Sequence, residues 1–193
     1  MVQRTYSLGL AALVLVAILC LPGFPGAAEF DASKLGHELG LRFSYGNSTR
    51  TASVHLYSLL PRWGISLVRP GQRLGPVGIS FIAEGIISIA DAEDTGFELG
   101  ITPMVKLYAM LFPSVMAFVE AGAGLISESI NSPALAHSFN FTPQVGGGFD
   151  IALSPQMAFT VAYRFRHSSN AGIYKENPAF NVNMFQAGIS YYY

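Results

Sequence analysis

His167 and Ser169 stand two residues apart in "RFRHSSNAGIYKENPAFN" (Arg164 to Asn181), and Asn170, Ala171 and Gly172 follow at once. On an extended chain such a spacing puts both side chains on one face, with Cα atoms about 6.5–7 Å apart. A small bend then brings an imidazole nitrogen to the serine oxygen. A serine hydroxyl is a weak nucleophile until a base takes its proton, and the base needs a third group to hold its tautomer. The Asn170 amide and the backbone N–H groups around Ala171 and Gly172 can donate to a developing oxyanion. Gly172 lets the chain come close to a substrate. The bland alternative is a polar rim where a strand ends. Which reading holds depends on where the strand lies.

The 193-residue chain is long enough for one domain. Its residues are 51% hydrophobic and only 12% charged, with a mean hydropathy of +0.39, greasier than an ordinary soluble domain. A net charge of −1 leaves no basic surplus for nucleic acid, so no nucleic-acid partner is expected.

The first residues read as an export signal. Arg4 is the basic start, Leu8 to Leu21 the apolar core, and "GFPGAA" the small-residue cleavage region. Cleavage after Ala28 makes 1–28 the signal peptide and leaves 29–193 as the mature domain. The rival, an uncleaved membrane helix, is disfavoured because the apolar run is short and Pro22 and Pro25 end it. Cys20 is the only cysteine, so the mature chain has neither disulfide nor thiol chemistry.

No later segment is apolar for long enough to form a membrane helix. Strand-like alternation is everywhere instead. His37 to Tyr45, Phe97 to Ala109, Val115 to Ala123, Phe141 to Ile151, Met157 to Phe165 and the C-terminal run from Phe185 place their apolar residues at odd positions. Thr51 to Leu60 is a further strand. Another is ragged: it starts at Ile65 to Val68, pauses over Pro70 to Pro76, and resumes at Val77 to Ile89. These make eight strands of about ten residues, the length that crosses a bilayer when tilted.

The odd face carries no charge through the middle of these strands. The even face mixes small residues with Glu38, Arg42, Glu84, Glu98, Lys106, Glu120, Asp150, Arg164 and Arg166. A soluble β-sandwich shows the same alternation, but nothing on a solvated face asks for so many glycines and alanines. A narrow closed interior does. The expectation is therefore all-β: an eight-stranded antiparallel transmembrane β-barrel of the bacterial outer membrane. The terminal "SYYY" resembles the aromatic last strand of such barrels. With both termini in the periplasm, the seventh strand ends at the cell surface and Ser168 to Asn181 is an outer loop, while Ser154-Pro155 makes a tight periplasmic turn. His167 and Ser169 continue the odd parity, so they face lipid near the outer interface.

In "HSSNAGIYKENPAFN" the sequence resembles the outer-membrane lipid A 3-O-deacylases, eight-stranded barrels that hydrolyse an ester-linked acyl chain of lipopolysaccharide. Their His-x-Ser-Asn-Ala-Gly pattern is matched by His167, Ser169, Asn170, Ala171 and Gly172. The resemblance implies a serine esterase with His167 as general base, Ser169 as nucleophile, and Asn170 and Gly172 at the oxyanion. The family's third member is a glutamate fourteen residues after the histidine. Here that position is Asn181, whose amide oxygen can orient the imidazole but cannot stabilise its cation as a carboxylate would. Asn181 also has the odd parity of the last strand, on the same outer face as His167. Glu176, in the loop, is the alternative third member, and a site without one is the remaining option.

The substrate expected from this resemblance is lipid A in the outer leaflet, whose esters lie beside the barrel wall. Phe165 and Ile173 are candidates to hold the acyl chain and Lys175 to pair with a phosphate. No cofactor is expected, and no metal, because His37, His55, His137 and His167 lack ligand spacing. A non-catalytic barrel with a structural or loop-binding role, displaying Ser127 to Asn140, is the alternative. The sequence leaves a homodimer open.

Overall fold

The computed structural model describes residues 28–49, 54–130, 138–175 and 180–193. All of the expected leader except Ala28 lies outside them. Eight strands follow in order: β1 His37–Ser48, β2 His55–Val68, β3 Val77–Asp91, β4 Thr95–Phe112, β5 Val115–Glu128, β6 Phe139–Ala152, β7 Met157–Ser168 and β8 Phe180–Tyr192. Each pairs antiparallel with its neighbour, and β8 returns to β1, from Glu38↔Tyr192 to Ser48↔Val182, so the barrel is closed.

One parity governs the middles of the strands. Odd residues point outward and bare their apolar surface: Phe43 is 67% exposed, Leu99 65% and Val119 56%. Even residues point into the lumen, where Arg42, Glu84 and Asp150 are fully buried. A continuous apolar wall around a polar interior is the pattern that a bilayer demands of a closed barrel.

Charge can be buried only if paired, and the lumen arranges that pairing. Glu120 accepts from Arg42 at 2.9 Å, from Arg62 at 3.0 Å and from Arg164 at 2.5 Å. Arg62 also reaches Glu38 and Glu84. Lys106 bridges Glu38 at 3.0 Å and Asp150 at 2.9 Å. Arg166 makes a two-pronged contact with Glu98, at 3.0 and 2.6 Å. Small residues leave the room this network needs: a side chain at Gly188 would collide with the backbone and stem of Arg42.

Apolar clusters close both ends of the lumen. At one end Phe30 and Leu35, from the segment before β1, pack with Tyr108, Met116, Phe118 and Tyr192. Backbone bonds from Phe30 to Pro113 and from Asp31 to Pro155 tie that segment over the short turns. At the other end Val54, Leu56, Ile130, Phe180, Val182 and Met184 form a second plug. Between the two clusters the lumen is occupied by these ion pairs.

Two details differ from the sequence reading. Ile65–Val68 is the end of β2, not the start of the third strand, and 69–76 is a turn with Gly71 and Gly75 at positive φ. β2 continues through Pro61, but the β2–β3 register lapses at Leu60 and Pro61, where proline has no N–H to give. Arg62, just beyond, joins the lumen charges that the alternation alone does not include. Likewise β5 runs on to Glu128 and β6 begins at Phe139, so the loop expected over Ser127 to Asn140 is shorter, with 131–137 outside the described residues. The Ser154-Pro155 turn is present, its Ser154 hydroxyl accepting from the Gln156 and Met157 N–H groups.

Candidate functional site

The site is built where β7 leaves the barrel. On one side β7 is registered with β8, and His167 lies directly opposite Asn181. Both side chains are half-buried on the outer face. His167 Nδ1 is 2.6 Å from Asn181 Oδ1. An amide oxygen only accepts, so the bond requires the proton on Nδ1 and leaves Nε2 bare.

On the other side β6 holds the next residues. Phe141 and Ser169 exchange two backbone hydrogen bonds, N–H to O at 2.8 and 3.1 Å, in continuous register with the β6–β7 ladder. Ser169 is thus fixed at its backbone one strand step beyond His167 and half-buried on the same face. No hydrogen bond joins its hydroxyl to the imidazole among the described residues. Such contacts are often loose without substrate and close when one binds.

The chain then reverses. Ala171 has φ 54 and Gly172 φ 80, and Ala171 is the only non-glycine residue with positive φ among those described. A left-handed alanine is strained, and strain kept in a short surface turn points to a constraint beyond folding. Asn170 is buried and organises the turn: its Oδ1 accepts from Gly172 N–H at 2.9 Å, and its carbonyl from Ile173 N–H at 3.1 Å. In this arrangement the Gly172 N–H is already engaged, and donation to an oxyanion requires it to leave Asn170.

The structure brings His167, Asn181 and Ser169 to one outward patch, with Phe165 beside them on β7 and directly opposite Asn183. Ile173 and Lys175 sit in the exposed part of the turn, and Glu176 lies outside the described residues. Among the described residues no group of three His, Cys, Asp or Glu side chains is placed to hold a metal ion.

One polar pair on this wall went unnoticed in the sequence. The Tyr163 hydroxyl donates to Asn183 Oδ1 at 2.5 Å, both at odd, outward positions. The signal in the sequence is an asparagine at lipid-facing parity, which lies in β8 because that strand begins at Phe180.

The model of a family described as lipid A 3-O-deacylase (PagL) matches residues 61–190, that is 130 of 193 residues, a range holding His167, Ser169 and Asn181. No curated protein matches the chain. Among solved structures, the outer membrane enzyme PagL is similar with a TM-score of 0.61 and 17% identity, over 77% of this chain and 97% of that one. Neisserial surface protein A is similar with a TM-score of 0.51 and 14% identity, over 81% and 96%. Ail, the attachment invasion locus protein of Yersinia pestis, gives 0.51 and 11%, over 81% and 96%. At such identities these structures establish the fold, a closed eight-stranded barrel of the outer membrane.

Proposed function

Because the chain belongs to the lipid A 3-O-deacylase family, we propose that it hydrolyses the 3-O-linked acyl ester of lipid A in the outer leaflet, with Ser169 as nucleophile and His167 as base. The observation that carries this reading is the 2.6 Å contact between His167 Nδ1 and Asn181 Oδ1, on the lipid-facing wall, one strand step from Ser169.

With Nδ1–H held by Asn181, the lone pair of Nε2 is the base for the Ser169 hydroxyl. The Ser169 oxygen attacks the ester carbonyl as Nε2 takes its proton. The tetrahedral oxyanion lies over the Asn170–Gly172 turn, whose N–H groups can donate to it once Gly172 turns from Asn170. Collapse breaks the ester bond, and the imidazolium gives its proton to the departing sugar oxygen, which leaves as a hydroxyl. Water, activated by the same imidazole, then releases the fatty acid and restores Ser169. Asn181 fixes the tautomer but brings no charge of its own to the imidazolium, so the reaction runs more slowly than with a carboxylate there.

The outward position suits the substrate. A lipid ester at interface depth reaches the wall by lateral diffusion, and Phe165 and Ile173 offer apolar surface to the chain. Lys175 sits on the headgroup side, where a phosphate would be.

The test is mass spectrometry of lipid A from cells carrying the wild type, Ser169→Ala or His167→Asn. The wild type shifts lipid A by the mass of one acyl chain. Both variants reach the outer membrane and leave lipid A unchanged. Deacylation by either variant rejects the assignment, and unchanged lipid A with the wild type points to a non-catalytic barrel.

A further inference from the structure

The wall is uneven around its outer rim. On β1 and β2, two strands along from the site, the outward residues nearest the rim are Tyr45, Asn47, His55 and Tyr57. On β3 to β5 the same zone carries Ile89, Leu99 and Leu125, with polar side chains only at the strand tips. An aromatic belt that only anchors a barrel at the interface has no reason to favour one side.

The β1–β2 ladder sets Asn47 directly opposite His55, and Tyr45 directly opposite Tyr57. Tyr45 Oη and His55 Nδ1 are 2.9 Å apart, and the two ring planes lie within 14° of each other. Tyr57 leans against Tyr45, with ring centroids 5.5 Å apart. The bond keeps either ring from turning, so a rigid aromatic face looks outward beside the exposed Asn47 amide. Such a face suits a sugar: aromatic planes take the C–H groups of a pyranose, and a nearby amide takes a hydroxyl. Asp91, opposite His55 on β3, turns a phosphate away, so the group that fits is an uncharged ring.

We propose that Tyr45 and His55, flanked by Asn47 and Tyr57, form a sugar-binding subsite for the second ring of the lipid A disaccharide, while the first ring delivers its ester to Ser169. From β7 to the seam between β1 and β2 is two and a half strand spacings, about 12 Å along the wall. That is within the reach from the ester of one ring to the far ring of a disaccharide. This deepens the serine-esterase reading and rests on it.

The test uses two esters in detergent micelles, glucosamine and a glucosamine disaccharide, each carrying one 3-O-tetradecanoyl group, so that the acyl chain is the same in both. The wild type is expected to show a kcat/KM at least about fivefold higher for the disaccharide, the gain lying in KM, as one aromatic contact supplies. The double variant Tyr45→Leu, His55→Leu brings the ratio near one by raising KM for the disaccharide alone. Tyr45→Phe, which keeps the ring and loses the bond to His55, lowers the ratio part of the way. The mobility shift between boiled and unboiled samples checks that each variant is folded. A wild-type ratio near one, or an equal fall on both esters in the folded double variant, overturns the proposal. A wild type that cleaves neither ester overturns the serine-esterase reading, and this subsite with it.

Discussion

His167 and Asn181 face each other across the β7–β8 ladder, fourteen residues apart in sequence and 2.6 Å apart between Nδ1 and Oδ1. The register of two strands, rather than a loop, sets this contact. Removing its acceptor should free the imidazole to adopt the wrong tautomer. Asn181→Leu is expected to lower kcat by about a hundredfold, within the range that acid–base catalysis contributes, with KM little changed. Asn181→Glu should raise kcat above the wild type, because a carboxylate both accepts from Nδ1 and stabilises the cation. Steady-state kinetics on purified lipid A in detergent checks both, and a slower Asn181→Glu enzyme would speak against the role given to Asn181.

Ala171 holds a left-handed turn that glycine adopts freely and a β-branched residue resists. Ala171→Gly should keep most activity, whereas Ala171→Val should lose at least about tenfold, given strain of about 1–3 kcal/mol at such a position. If the valine variant matches the wild type in kinetic assay, the turn's conformation has no part in the chemistry.

Much of the barrel was legible because alternation is so regular: one parity separates Phe43 and Leu99 outside from Arg42 and Glu98 inside. The contact between His167 and Asn181 was legible for a similar reason, since the two share that parity and sit at neighbouring strand ends. What escaped were strand limits. Pro61 looks like a terminator, and only the β1 partner across from it, Leu41, shows that β2 continues. With that end lost, Arg62 was missed, although it contacts Glu38, Glu84 and Glu120. The asymmetry of the turn, in which Asn170 faces inward and engages Gly172, depends on dihedral angles that no spacing rule encodes.

Val119 and Glu120 are adjacent yet face lipid and lumen. Val119→Arg should disfavour insertion by about 2–4 kcal/mol if the residue lies near the midplane. Folding yield into vesicles, read from the shift in electrophoretic mobility between boiled and unboiled samples, reports it. Equal yields for Val119→Arg and wild type would contradict a lipid-facing wall.

Glu120→Ala leaves Arg42, Arg62 and Arg164 without their shared acceptor. Removing one partner from a buried charge network costs about 3 kcal/mol or more. Urea unfolding in detergent should show a loss of that size, and a stability unchanged from wild type would mean the network is looser than described.

Covalent trapping speaks most directly to the reacting groups themselves. A long-chain alkyl phosphonate ester, offered in micelles, should bond to one hydroxyl only, and peptide mass spectrometry should place the added mass on Ser169. His167→Asn should abolish the adduct while the folded barrel persists. An adduct on another residue, or one that forms on Ser169 just as fast without the imidazole, would contradict a nucleophile and base that meet the lipid from outside the barrel.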